Sequence, residues 1–163
     1  MPIPEPGDEY AKLYDRISGS LYRYALVMLG SREQAEDVVQ EVFVAVIRRG
    51  VKGMNSVEPY LRTSVRNACY SVLRQRRNGV PVHESFLEAV AGVSDAPDER
   101  LVVERALHDL PVEQREVVQL KVYQGLSFQE IAQATGESVN TVASRYRYGM
   151  EKLRGTFRER RTQ

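Results

Sequence analysis

Cysteine is almost missing from this chain of 163 residues, Cys69 being the only one. One thiol excludes an internal disulfide and every Cys-rich zinc site, and with His83 and His108 as the only histidines no ligand cluster at metal spacing can be assembled. Long apolar runs are missing too, and none approaches the ~20 residues that cross a bilayer. No membrane insertion is therefore expected. The opening segment MPIPEPGDEY has neither a basic start nor the apolar stretch of a secretory leader, so a cytoplasmic location is expected, where a lone thiol stays reduced. A Gly-rich phosphate loop and a nucleophile-base pair are also lacking. Enzymatic turnover and a bound cofactor are not expected.

What is present is enough for folded cores, since 42% of residues are hydrophobic. The formal net charge of +1 conceals segregation. Residues 60–79 carry five cations and no acid, residues 80–116 three cations against nine acids, and residues 117–163 eight cations against four acids. Two basic blocks separated by an acidic one suggest polyanion contact at two places, or ordinary charged helix surface at either.

Apolar spacing predicts helices throughout. Tyr10, Leu13, Tyr14, Ile17, Leu21, Tyr24 and Met28 recur at steps of three and four, marking one helical face that ends near Gly30. Ser31 and Gln34 have capping-box spacing, and Ala35, Val38, Val39, Val42, Phe43, Val46 and Ile47 follow as a stripe ending around Arg49 and Gly50. Residues 50–58 read as a loop before Pro59, which suits the first position of a third helix running to Arg77. That helix would turn Leu61, Val65, Ala68, Cys69, Val72 and Leu73 inward, so Cys69 reads as a buried, inert thiol.

Residues 78–97 contain Gly79, Pro81, Gly92 and Pro97 among small and acidic residues, and read as a linker with at most a short helix over 83–91. Two small helical domains are thus expected, over 8–77 and 98–156. The second begins with a helix from Pro97 to Leu110. Pro111 opens another with Val117, Val118, Leu120 and Val122, and Ser127 with Glu130 box a short third helix. Ser138 then caps a basic helix reaching about Arg154, with Val142, Tyr146, Met150 and Leu153 at core spacing.

A short helix, a turn containing Gly136 and a longer basic helix reproduce helix-turn-helix geometry, in which the second helix enters the major groove. Outward residues near its start should be polar and short, as Ser138, Asn140, Thr141 and Ser144 are, while Arg145 and Arg147 can reach phosphate or guanine. Plain packing of two hairpin helices gives the same pattern.

The segment ALHDLPVEQREVVQLKVYQGLSFQEIAQATGESVNTVASRYRYGMEKLR, residues 106–154, resembles region 4 of bacterial sigma factors. SREQAEDVVQEVFVAVIRR at 31–49 resembles region 2.2, and PYLRTSVRNACYSVLRQRRN at 59–78 resembles regions 2.3 and 2.4. With regions 1 and 3 absent, the layout is similar to that of the extracytoplasmic-function group. The resemblance implies an all-α fold, recruitment to RNA polymerase core and recognition of promoter DNA. It implies that Glu36, Asp37, Gln40, Glu41 and Val44 meet the β′ coiled coil, with the β flap as a second contact. It further implies that the third helix and its preceding loop take the minus-ten element, through Asn55, Tyr60, Arg62, Arg66, Asn67, Tyr70, Arg74 and Arg77.

Residue chemistry suits those roles. An acidic surface with one apolar contact fits a basic partner helix, and cations flanking an aromatic fit unpaired bases on a phosphate backbone. The acidic face also suits simple solvation, and Tyr60 also suits a core position. The minus-thirty-five set implied is Ser138, Asn140, Thr141, Ser144, Arg145, Arg147 and Tyr148. Here the chain departs from the family pattern: Ala143 and Tyr148 stand where cations are frequent, and Tyr146 where leucine is usual. Fewer phosphate contacts and modest affinity follow, which Arg158, Arg160 and Arg161 can offset, although terminal arginines are usually just solvated. The resemblance also implies an anti-sigma partner. A helix-turn-helix regulator that never touches polymerase is the alternative; it leaves the acidic face and the Arg-Tyr stripe unexplained.

Overall fold

The computed structural model describes residues 6–50, 57–77 and 97–162. Among these, the regular structure is helical throughout: α1 (Pro6–Leu29), α2 (Arg32–Arg49), α3 (Val57–Arg77), α4 (Pro97–His108), α5 (Val112–Val122), α6 (Phe128–Thr135) and α7 (Val139–Arg161). The first three helices form one compact unit and the last four another. The linker over 78–96, the short helix over 83–91 and Asn55 fall outside the described residues.

In the first unit α1 packs on α3. The α1 stripe holds for Leu13, Ile17, Leu21, Tyr24 and Met28, all buried, but Tyr14 is 44% exposed and lays its ring edge-on against Phe43 of α2 at 4.9 Å. The expected inward Ile47 is 53% exposed. It stands in the last turn of α2, at the rim of the stripe, and periodicity finds a face without saying where the covering surface ends. The same holds on α3, where Leu61, Val65 and Cys69 are buried while Ala68, Val72 and Leu73 are half-buried.

Helix ends differ from the expected ones for local reasons. Helix α1 starts at Pro6, where a missing N–H costs nothing, with Asp8 and Glu9 in its first turn opposing the helix dipole. Helix α3 starts at Val57, before Pro59, because first-turn N–H groups have no helical acceptor anyway. Helix α7 continues past Arg154 to Arg161, so Arg158, Arg160 and Arg161 form its last turn, where cations favour the negative dipole end.

The second unit is organised around α5, which packs against α4, α6 and α7. It buries Val117, Val118 and Leu120, and with them Arg115, Glu116 and Gln119, while Val122 is exposed. The Arg115 guanidinium explains part of this polar core: it donates to the carbonyls of His108 at 2.9 Å and Leu110 at 3.1 Å, satisfying acceptors that the end of α4 leaves open.

Contact between α5 and α7 is close because position 149 has no side chain. A Cβ on Gly149 would stand 3.0 Å from Val118 Cγ2 and 3.5 Å from Gln114 Cβ. Val118 is β-branched, buried and stiff, so it cannot turn away. Gly149→Val is expected to destabilise the second unit by about 1–3 kcal/mol through overpacking, read as a lower urea midpoint of the far-ultraviolet circular dichroism transition.

Candidate nucleic-acid and partner interfaces

Capping hydrogen bonds hold both ends of α6 and the start of α7. Ser127 accepts from the Glu130 N–H at 3.1 Å and its own N–H donates to Glu130 Oε1 at 3.1 Å, the reciprocal box expected for the start of α6. Gly136 adopts φ 72°, the left-handed region, and its N–H and that of Glu137 both reach the Ala132 carbonyl, at 2.9 and 3.2 Å. Ser138 then accepts from the Thr141 N–H at 3.1 Å and donates to Thr141 Oγ1 at 2.9 Å. Tyr146 packs edge-on against Phe128 at 5.5 Å, so the usual leucine is replaced by an aromatic that ties α7 to α6.

This frame presents Ser138, Asn140, Arg147 and Tyr148 exposed, with Thr141, Ser144 and Arg145 half-buried. Arg147 stacks over Tyr148 at 5.2 Å. Sequence reasoning missed two residues here. Val139, at the first position of α7, is 43% exposed and can offer methyl groups to a thymine; its place beside an N-cap was the available signal. Glu137, in the turn, pairs with Arg145 at 3.3 Å, and nothing in the spacing pointed to it.

On α3 the cations and aromatics are brought to one side. The Arg66 guanidinium lies 4.7 Å over Tyr70, Arg74 donates to Ser71 Oγ at 3.1 Å, Asn67 and Arg77 are exposed, and Arg62 is half-buried. Tyr60 is half-buried: Arg49 of α2 donates to its hydroxyl at 3.1 Å and sits 5.3 Å over its ring. Arg76 has a different task. It donates to Gln34 Oε1 of α2, and partial burial pushes its guanidinium below the ordinary arginine range, with neighbouring Cys69 acting in the opposite direction.

On α2, Glu36, Asp37, Gln40, Glu41 and Val44 are all exposed. Asp37, Gln40, Glu41, Val44, Ala45 and Arg48 line a shallow concavity. Among the described residues no group of three His, Cys, Asp or Glu could hold a metal ion, and no helix is long and apolar enough to cross a membrane.

Residues 13–79 match the family model for sigma-70 region 2, and residues 100–153 that for sigma-70 region 4. The ECF RNA polymerase sigma factor SigL of Mycobacterium tuberculosis is 32% identical over 160 residues, covering 90% of this chain and 88% of SigL. The chain belongs to the extracytoplasmic-function sigma factors. The RNA polymerase sigma factor CarQ of Myxococcus xanthus is 34% identical over 155 residues, covering 90% of this chain and 86% of CarQ. A solved structure of the sigma factor RpoE from Bartonella quintana, in complex with the anti-sigma factor NepR, shares the fold: TM-score 0.71, 22% identity, 92% of this chain and 97% of that one. As a sigma factor the chain directs core polymerase to promoters for transcription initiation, a role without catalysis, and the polymerase-independent regulator is not favoured.

Ser138 caps α7, and if it also faces DNA, as the sequence predicts, its loss registers twice. Ser138→Ala is expected to cost about 1 kcal/mol in unfolding of the second unit and to weaken duplex binding by holoenzyme, measured by denaturation and by filter binding.

Proposed function

We propose that the two family regions divide promoter recognition between them. Region 2, over 8–77, grips core polymerase and the minus-ten element; region 4, over 98–156, reads the minus-thirty-five element and meets the β flap; residues 78–97 tether them. The observation that carries this reading is the separation of surface chemistry: an exposed acidic face on α2, an Arg-Tyr side on α3 and a polar-to-basic start on α7.

On α2, Asp37 and Glu41 lie one turn apart beside Val44, and charge complementarity with a basic coiled coil supplies register while the apolar spot supplies affinity. Helix α3 takes the melted strand: the Arg66-Tyr70 stack offers a ring to an unpaired base beside a cation for its phosphate. Tyr60, held by Arg49, provides a second ring. Helix α7 takes duplex, with Ser138, Asn140, Thr141 and Ser144 near the base edges, Arg145 and Arg147 behind them, and Tyr148 on the flank. The protein works in the cytoplasm, and an anti-sigma protein holds it inactive, a reading supported by the NepR complex of the structural neighbour.

Joint replacement of Asp37 and Glu41 by Lys is expected to weaken association with core polymerase at least tenfold while leaving helicity unchanged; gel-filtration coelution with unaltered affinity would overturn the assignment of α2. Arg66→Met with Arg74→Met is expected to flatten the salt dependence of minus-ten strand binding by holoenzyme by about 0.7 per cation removed, measured by fluorescence anisotropy across a salt series.

A further inference from the structure

A carboxylate in the DNA-facing turn is an odd choice, because an exposed acid there repels phosphate. Glu137 occupies that position, immediately before the N-cap Ser138. Its Oε1 accepts from Arg145 Nη2 at 3.3 Å, and the two side chains are 39% and 26% exposed. Ser138, Thr141, Arg145 and Tyr148 follow one another at steps of three and four, so they share one face of α7. Helical side chains lean toward the N-terminus, and the Arg145 guanidinium accordingly reaches back over the first turn, the end that enters the groove.

We infer that Glu137 is a positioning residue that makes Arg145 a reader of base edges and not a binder of phosphate. The inference rests on the proposed duplex-binding role of α7. Its physical basis is competition. A phosphate oxygen approaching Arg145 meets a guanidinium already neutralised by a carboxylate, so the attraction is reduced and Glu137 adds repulsion. A guanine edge is uncharged and suffers no such repulsion. The pair engages Nη2, leaving further N–H donors of the fork to meet O6 and N7. Anchoring also fixes a long side chain before DNA arrives, which lowers the ordering cost of the contact. Glu137 thereby reduces affinity for arbitrary DNA and preserves affinity for a site with guanine in the position Arg145 addresses.

The test uses holoenzyme assembled from full-length chain and core polymerase, selecting from duplex DNA randomised across the upstream element. Four forms are compared: the unaltered chain, Glu137→Gln, Arg145→Ala and the double variant. The unaltered chain is expected to enrich guanine at one position by roughly five- to hundredfold, and Arg145→Ala to abolish that enrichment. Glu137→Gln is expected to bind the unselected library several-fold more tightly, to lose at least threefold of the guanine enrichment, and to steepen the salt dependence by about 0.9, one added phosphate contact. The double variant should select as Arg145→Ala does. Unchanged guanine preference in Glu137→Gln, or an equal effect of Glu137→Gln with and without Arg145, would overturn the inference while leaving α7 a recognition helix. Guanine enrichment retained in Arg145→Ala would overturn the inference alone, and no base preference in the upstream element with the unaltered chain would overturn the proposed role of α7 as well.

Discussion

The direction in which α7 leaves the turn is fixed by a continuous relay of backbone caps, and the second unit has no recognition surface without it. Ala132 gives up its carbonyl to two N–H groups, Gly136 takes a conformation that other residues avoid, and Ser138 restarts the helix within two residues. Each step removes an orphan polar group, so the turn is short and stiff. Phe128 and Tyr146 then lock the two helices together.

Stiffness in that turn matters because recognition helices gain affinity from positions fixed in advance. The core beneath provides it by close approach: α7 rides on Val118 where Gly149 lacks a side chain, and Arg115 closes the carbonyl end of α4 from inside α5. In the first unit the equivalent ties are polar. Arg76 and Arg49 each cross from one helix to the next, one to Gln34 and one to Tyr60, so one cation of the 60–79 block acts as a strut beside another from α2. Net positive charge along a segment therefore overstates what remains for DNA.

Much of this was legible in the sequence because it depends on local rules. Ser127 with Glu130, and Ser138 before a basic helix, are short-range signals whose hydrogen bonds need only their own turn, and the helical spacing of Leu61, Val65 and Cys69, four residues apart, places them on one inward face. Long-range facts were not legible. Ile47 and Tyr14 satisfy the period and still meet solvent, because nothing local says where a neighbouring helix stops. The burial of Glu116 and Gln119 runs against their type, and the Glu137-Arg145 pair joins residues on either side of a helix start. Within the proposed sites, the residue types were readable and their internal partners were not.

The family assignment and the three surfaces converge on one claim, that a single chain brings polymerase to DNA by addressing two separate elements at once. Run-off transcription with purified core enzyme over a genomic library, followed by mapping of start sites, tests it most directly. The account predicts a set of starts that depends on this chain and shares two upstream elements at fixed separation. Transcripts no more frequent than with core enzyme alone, or starts sharing a single element, would contradict it.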